Sequence, residues 1–511
     1  MNRVLGFGML CLSLPALGMD LVDSLALAKE HDPVYLAARH ELGATGEARI
    51  QARAGLLPQV SYQFEFRETD QDIIEAQNAV FDNTSNSFRT ETRGLTVSQT
   101  LFNYEKFQRY SQSKATVNRA ESEFLAAQQD MYLRVAEAYF LVLERQDQLG
   151  TVQAEKEAME KHLALAERKV ARGLSRSVDE QEARAKYLNA LSKEIELESF
   201  LLDAKYALRE SIGQLPEDLQ PLKTGITLEN PVPENPEQWV DLAEAHNPVL
   251  QASMLRVREA SKEVNALKGR HYPTLDLVYT DTNRDAGGSL FDGGSETDTA
   301  EIALQLNIPL YSGGAASSRV RQATNTKYRV EEELTRQKRE IQRSTVDAMR
   351  RIGAAIAQIQ ALEQSVEAHR QTLEIKQRGY GAGRYHIIEV LDAQQELSAA
   401  QQMLTKSRYD YALNTLRLKY AAGVISEEDM HIVNGWLQGN EPWAGPVYDP
   451  EKYRQNSAAD VADPVAEPAE MVADAEEQGE NDNAPAQSSP TPQQQDGIIL
   501  DDAAASLEAA E

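Results

Sequence analysis

The chain has 511 residues, a formal net charge of −28, one cysteine and a charged fraction of 26%. So acidic a chain excludes nucleic acid as a partner, because phosphate binding needs clustered Lys and Arg that this sequence does not show. The only cysteine is Cys11, so a chain processed beyond it has neither a disulfide nor a thiolate site.

The first residues, Met1, Asn2 and Arg3, lead into an apolar run from Val4 to Leu14 and then Pro15-Ala16-Leu17-Gly18. This pattern reads as a secretory signal peptide over residues 1–18, with cleavage after Gly18. Cys11 follows Met9-Leu10, which is not the small-residue context of a lipidated cysteine. No stretch of the chain reaches the ~20 apolar residues that a helical span requires. Contact with a membrane would therefore be through a β-barrel or at the surface.

Beyond the signal the chain matches itself, and such self-similarity organises a fold. Ala28-Lys29-Glu30-His31-Asp32-Pro33-Val34 resembles Ala243-Glu244-Ala245-His246-Asn247-Pro248-Val249, an offset of 215 that also places Pro58 on Pro273. Farther along, the offset becomes 209 (Leu101 on Leu310) and then 210, with Gly173 on Gly383 and Asp179 on Glu389. Two copies, 19–220 and 237–425, are thus joined by a linker at 221–236 and followed by a segment at 426–450.

Within each copy, Asp32-Pro33 and Asn247-Pro248 supply an N-cap residue followed by proline at the first helical position. The helices they start are expected to run to Leu57 and Tyr272, where Pro58 and Pro273 bar continuation. Val60, Tyr62, Phe64 and Phe66 then alternate with polar residues, as do Leu95, Val97, Gln99 and Leu101. The second copy repeats this with Leu275, Leu277 and Tyr279, and with Ile302, Leu304, Leu306, Ile308 and Leu310. A period of two makes one apolar and one polar face. The polar stretches at about 68–92 and 283–299 read as loops, giving one β-hairpin per copy, about 59–102 and 274–311. Four strands cannot close a barrel, and open edges in lipid leave backbone groups unpaired, so several subunits must combine. Dimer, trimer and tetramer all satisfy the strand arithmetic.

After each hairpin come long stretches, 104–172 and 314–382, with neither proline nor turn, each able to reach ~100 Å as a helix. Met131, Val135, Ala138, Val142 and Leu149 form a stripe in the first, and Ile352, Ile356, Ile359, Leu362, Val366 and Leu373 in the second. Turns at Gly173 and at Gly379, Gly381 and Gly383 send the chain back to Gly213 and Gly423, so each copy ends in a long helical hairpin, 104–213 and 314–423. Residues 451–511 hold 15 acidic and 2 basic side chains and few large apolar ones, and read as a disordered tail.

Several phrases together resemble the TolC family of outer-membrane factors: Leu56-Leu57-Pro58-Gln59-Val60, Tyr272-Pro273-Thr274-Leu275, Ile308-Pro309-Leu310-Tyr311-Ser312-Gly313-Gly314, and Gly379-Tyr380-x-x-Gly383 followed by Ile388-Glu389-Val390-Leu391-Asp392-Ala393. The resemblance reaches to about residue 435. It implies a mixed α and β membrane protein: a homotrimer whose four strands per protomer form a 12-stranded β-barrel in outer-membrane lipid, continued into the periplasm by a long α-helical coiled-coil barrel. It also implies partners, namely a periplasmic adaptor (membrane fusion) protein and an inner-membrane ABC exporter or proton-driven pump. The duct itself would be passive, exporting small molecules or polypeptides, with no catalysis and no cofactor.

Glu389, Asp392 and Glu396 share one face of the returning helix by their spacing. A stripe of this kind on its own is a solvated surface. The resemblance makes Glu389 and Asp392 the carboxylates of a periplasmic gate, where crowded like charges select cations. It also places a latch between hairpins on Tyr380 and Asp179. The family's arginine falls on Tyr385, with Arg384 one position before it, either reaching Asp179 or standing free.

The eight histidines lack metal-binding spacing, and no Ser, His and Asp constellation is recognisable. Gly287-Gly288 and Gly293-Gly294 sit in a hairpin loop without a phosphate-loop pattern. Two rival readings are a soluble periplasmic coiled-coil protein and a general porin, although a simple barrel has no use for the long helices.

Overall fold

A computed structural model describes residues 18–72, 74, 85–223, 225–288 and 293–439. The expected signal peptide, apart from Gly18, and the acidic tail lie outside the described residues. The chain runs α1 (Leu21–His31), α2 (Pro33–Ala54), β1 (Gln59–Asp72), β2 (Ser85–Phe102), α3 (Tyr104–Ala171), α4 (Ser177–Ile212), α5 (Pro236–His246), α6 (Pro248–Lys268), β3 (Thr274–Ala286), β4 (Ser295–Asn307), α7 (Ala315–Gly381), α8 (Ile387–Ala421) and α9 (Glu427–Asn434). The order from α2 to α4 recurs from α6 to α8.

The helix starts follow from their caps. Asp32 accepts hydrogen bonds from the backbone of Val34 and Tyr35, and Asn247 from Val249 and Leu250, each preceding a proline at the first helical position. Asn103 caps the 68-residue α3 through the N–H of Lys106. The ends of α2 and α6 differ from expectation. The first stops at Ala54 rather than Leu57, and the second at Lys268, followed by a 3-10 turn over Gly269–His271. A Cβ on Gly269 would lie 2.7 Å from the backbone nitrogen of Glu105, so glycine there lets this turn close against the start of α3.

The four strands form one antiparallel sheet in the order β1-β2-β3-β4. They continue well into the stretches read above as loops: β1 reaches Asp72, β2 begins at Ser85, β3 ends at Ala286 and β4 begins at Ser295. In those outer parts both faces carry polar side chains, so the alternation disappears from the sequence while the backbone ladder goes on. At the other end β4 stops at Asn307, before Ile308 and Leu310, and a bulge between Thr100 and Phe102 brings Phe102, not Leu101, opposite Leu275.

Cross-strand partners point to the same side of a sheet, and here the register gathers the apolar residues. Val60 pairs with Val97 and Tyr62 with Leu95, Val97 pairs with Tyr279 and Gln99 with Leu277, and Tyr279 pairs with Ile302 and Leu277 with Leu304. All therefore share one face. The other face carries Ser61, Gln63, Glu65, Thr92, Thr96, Thr280 and Gln305. Among the described residues nothing covers the apolar face: Val60, Tyr62, Phe64, Ile302, Leu304 and Leu306 are each more than half exposed. β1 and β4 each pair on one side only among the described residues.

Among the described residues, the two largest of four buried clusters hold the sheet-side parts of the helices to their neighbours. In one, Leu21 and Leu25 of α1 pack with Met131, Val135, Tyr139 and Phe140 of α3, Leu208 and Ile212 of α4, and Met430 of α9. The other joins Trp239 of α5 and Leu250 of α6 to Ile352 and Ile359 of α7 and Tyr411 and Leu418 of α8. Burying such a side chain fully contributes about 1.5–3 kcal/mol. Of the two expected stripes, Met131, Val135, Val142, Ile352, Ile359, Val366 and Leu373 are buried, whereas Ala138, Leu149, Ile356 and Leu362 are only partly so. No described helix is long and apolar enough to cross a membrane.

Candidate functional site at the helical turns

Both helical hairpins close with the same backbone device. In the first turn, the N–H of Gly173 donates to Val170 O and that of Leu174 to Lys169 O, both at 2.9 Å, with Gly173 at φ +69°. In the second, Gly383 donates to Tyr380 O at 3.1 Å and Arg384 to Gly379 O at 2.8 Å, with Gly383 at φ +74°. The offset of 210 superposes every donor and acceptor. A left-handed glycine lets these bonds satisfy the last helical carbonyls. Each returning helix then opens with a carboxylate at its third position: Asp179 accepts from the N–H of Arg176 at 3.2 Å, and Glu389 from that of His386 at 3.1 Å.

The side chains around these backbones differ. Asp179 is buried and also accepts from the Ser175 hydroxyl at 2.5 Å and the Arg176 guanidinium at 3.2 Å. The Ser175 hydrogen bond first, and then those of Arg176 with its positive charge, outweigh the cost of burial and hold the Asp179 carboxyl below the usual carboxylate range. Its own turn supplies three hydrogen bonds to a group with about four lone-pair sites, and Arg384 does not reach it within the protomer. Arg384 is exposed, and among the described residues its guanidinium has no partner. The counterpart of Ser175 is Tyr385, whose ring lies where a Cβ on Gly379 would be.

Tyr380 ties the two turns together. Its ring takes the Lys169 ammonium at 3.9 Å from its centroid. The same ring packs on a cluster of Met159 and Ala166 of α3, Ala183 and Ala190 of α4, and Ile387 and Leu391 of α8. The start of α8 is thus seated against the first hairpin, while Val390, Ala393 and Leu397 seat it on α7.

The acidic stripe meets three different partners. Glu389 serves its own helix cap, Asp392 is bridged by Lys186 of α4 at 2.9 Å, and Glu396 lies 3.6 Å from His369 of α7. Lys186 also donates to Gln395 at 2.7 Å. Nearby, Glu155 of α3 is buried; burial pushes its carboxyl up, partly offset by Lys193, by hydrogen bonds from Gln395 and Ser398, and by Lys186. Sequence reasoning did not find Lys186, Lys169, Ser175 or Arg176. For Lys186 a signal exists, since its counterpart in the second copy is Glu396, a reversal of charge at one register position. Among the described residues, no group of three or more His, Cys, Asp or Glu is placed to hold a metal.

Comparison with known proteins bears on what such a chain does. The family profile described as outer membrane efflux protein matches residues 25–214 and again 239–424. An outer membrane protein TolC of Vibrio cholerae is 30% identical over 421 residues, covering 82% of this chain and 94% of the relative. A proteases secretion protein, PrtF, of Dickeya chrysanthemi is 30% identical over 428 residues, covering 83% and 92%. Among solved structures, the CmeC outer membrane channel of Campylobacter jejuni aligns with a TM-score of 0.70 at 15% identity, over 86% of this chain and 90% of that one.

Proposed function

The chain belongs to the outer membrane efflux protein family, an outer-membrane exit duct for efflux and secretion and not an enzyme, and on that premise we propose that three copies close into one 12-stranded barrel continued by a helical tunnel. The one-sided sheet carries this reading. In water its exposed apolar face would cost about 1.5–3 kcal/mol for each large side chain left uncovered, whereas lipid solvates that face and leaves the polar face to line a lumen. The free edges of β1 and β4 point the same way. In hydrocarbon each unpaired backbone group costs several kcal/mol, so β4 of one copy pairs with β1 of the next. Because each copy contributes an even number of strands, the antiparallel alternation survives around the ring. The 22 residues of α2 include none that is buried, as expected of a helix whose second neighbour is another subunit.

In this assembly α3 and α7, each ~100 Å long, carry the turns far from the bilayer. Glu389 and Asp392 then form two rings at the periplasmic mouth, with Tyr380 and Asp179 holding the turns closed. A periplasmic adaptor and an inner-membrane ABC exporter or proton-driven pump deliver small molecules or polypeptides to that mouth, and the duct consumes no energy. Purified protein in planar bilayers tests this. The double variant Glu389→Ala, Asp392→Ala should lower cation selectivity, read as reversal potential in a salt gradient, and weaken block by multivalent cations. Wild-type selectivity and block in that variant would overturn the gate.

A further inference from the structure

We infer that Lys186 sets how much of the gate's negative charge a passing ion meets, by bolting the first helical hairpin to the second through Asp392. The inference rests on the gate reading above and deepens it. Lys186 leaves α4 and meets two acceptors one turn apart on α8, Asp392 at 2.9 Å and Gln395 at 2.7 Å. Such a two-point contact holds a flexible ammonium in one place. Ala183 and Ala190, three residues before and four after it, are buried in the cluster that holds Ile387 and Leu391. These small side chains let α4 and α8 approach closely enough for the lysine to span the seam.

The electrostatic consequence follows from distance. A carboxylate with an ammonium at 2.9 Å presents a dipole, not a charge, to an ion farther away, and a dipole's field falls more steeply. Each protomer would then offer the lumen one full negative charge, on Glu389, and one largely cancelled, on Asp392. The side chain of Asp392 is half exposed in the protomer, so the bridge leaves it open to solvent. The duplication shows that this is not a general feature of the repeat. The position pair matching Asp392 and Lys186 in the other copy is Glu182 and Glu396, two carboxylates, which cannot form the same bond.

Four variants of the full-length protein in planar bilayers test the bolt: Lys186→Gln, Lys186→Arg, Asp392→Asn, and the double change Lys186→Gln with Asp392→Asn. Trimer recovery on unheated gels checks folding of each. Lys186→Gln should raise the cation-to-anion permeability ratio roughly two- to fivefold by exposing three carboxylates. It should also raise conductance, since the hairpins are no longer joined. Lys186→Arg should keep wild-type selectivity. Asp392→Asn should lower the ratio, and the double variant should return it towards wild type while conductance stays high. Should Asp392→Asn lower the ratio while Lys186→Gln leaves it unchanged, the lysine has no such role and the gate reading stands. If neither Asp392→Asn nor the double alanine variant shifts the ratio, the gate reading fails and takes the inference with it. An arginine variant that behaves like the glutamine one overturns the argument from charge.

Discussion

At the first helical turn Asp179 is buried under three hydrogen bonds, from Ser175, the Arg176 backbone and the Arg176 guanidinium. At the second, its counterpart Glu389 accepts one, from the His386 backbone N–H at 3.1 Å. The backbones are the same, down to the left-handed glycine and the third-position carboxylate, so the duplication has kept the turn and altered what surrounds it. A carboxylate that accepts three bonds within its own loop serves that loop first. One that spends a single lone pair on its cap keeps the rest for solvent and ions. The first turn is therefore built to stay folded, and the second keeps a carboxylate in reserve.

Breaking what the turns share should give the largest effect, and an equal one. Gly173 and Gly383 both have positive φ, and a Cβ on either would meet nothing within 4 Å, so only backbone strain opposes substitution. Valine at either position should cost about 1–3 kcal/mol. Hydrogen exchange should show the same loss of protection in the first turns of α4 and α8. A loss confined to one of them would contradict the equivalence of the two backbones.

Removing what differs should give a smaller and unequal effect. Asp179→Ala strips three bonds from a buried site and should destabilise the start of α4 by about 1–2 kcal/mol, whereas Glu389→Ala should destabilise the start of α8 by about 0.5 kcal/mol. The depressed pKa of Asp179 gives this a pH dependence. Because the folded value lies below the unfolded one of about 3.9, the stabilisation is present above that pH and is lost as pH falls through the folded value. Protection of the α4 start should thus fade on acidification below about pH 4, and Asp179→Asn should remove that fading. Equal effects of the two alanine substitutions would show that the bonds around Asp179 carry no extra stability.

Much of the architecture was legible because it is written locally. Asp32-Pro33 and Asn247-Pro248 mark helix starts with their own side chains, and Gly173 and Gly383 mark turns by a conformation that other residues resist. Alternation revealed the inner halves of the strands, where one face is apolar. It failed beyond Phe66 and Tyr279, where polar residues occupy both faces and only backbone pairing continues the sheet. The acidic stripe was visible as spacing, but its partners were not. Lys186 lies 206 residues from Asp392, and His369 reaches Glu396 from the opposite helix of the hairpin. Such pairings depend on how helices pack within and between hairpins, which no local pattern encodes.

A comparably small effect lies where the two turns touch. Lys169 stands at the position that is Gly379 in the second copy, and it reaches across to Tyr380, whose own counterpart is Val170. The contact therefore joins unlike positions of the two copies, and neither turn could make it alone. Lys169→Met keeps the apolar stem and removes the charge, while Tyr380→Leu keeps bulk and removes the ring. Each should weaken the seating of one turn on the other, and together they should cost less than the sum of the two by about 0.5–1 kcal/mol, the range for a cation over an aromatic face near the surface. Tyr380→Phe retains the ring and should behave as wild type. Hydrogen exchange across the first turn, residues 169–177, measures each corner of the cycle. Strict additivity would mean that the ammonium and the ring are neighbours without attraction, leaving the buried cluster around Ile387 and Leu391 and the Lys186 bridge to Asp392 to join the hairpins.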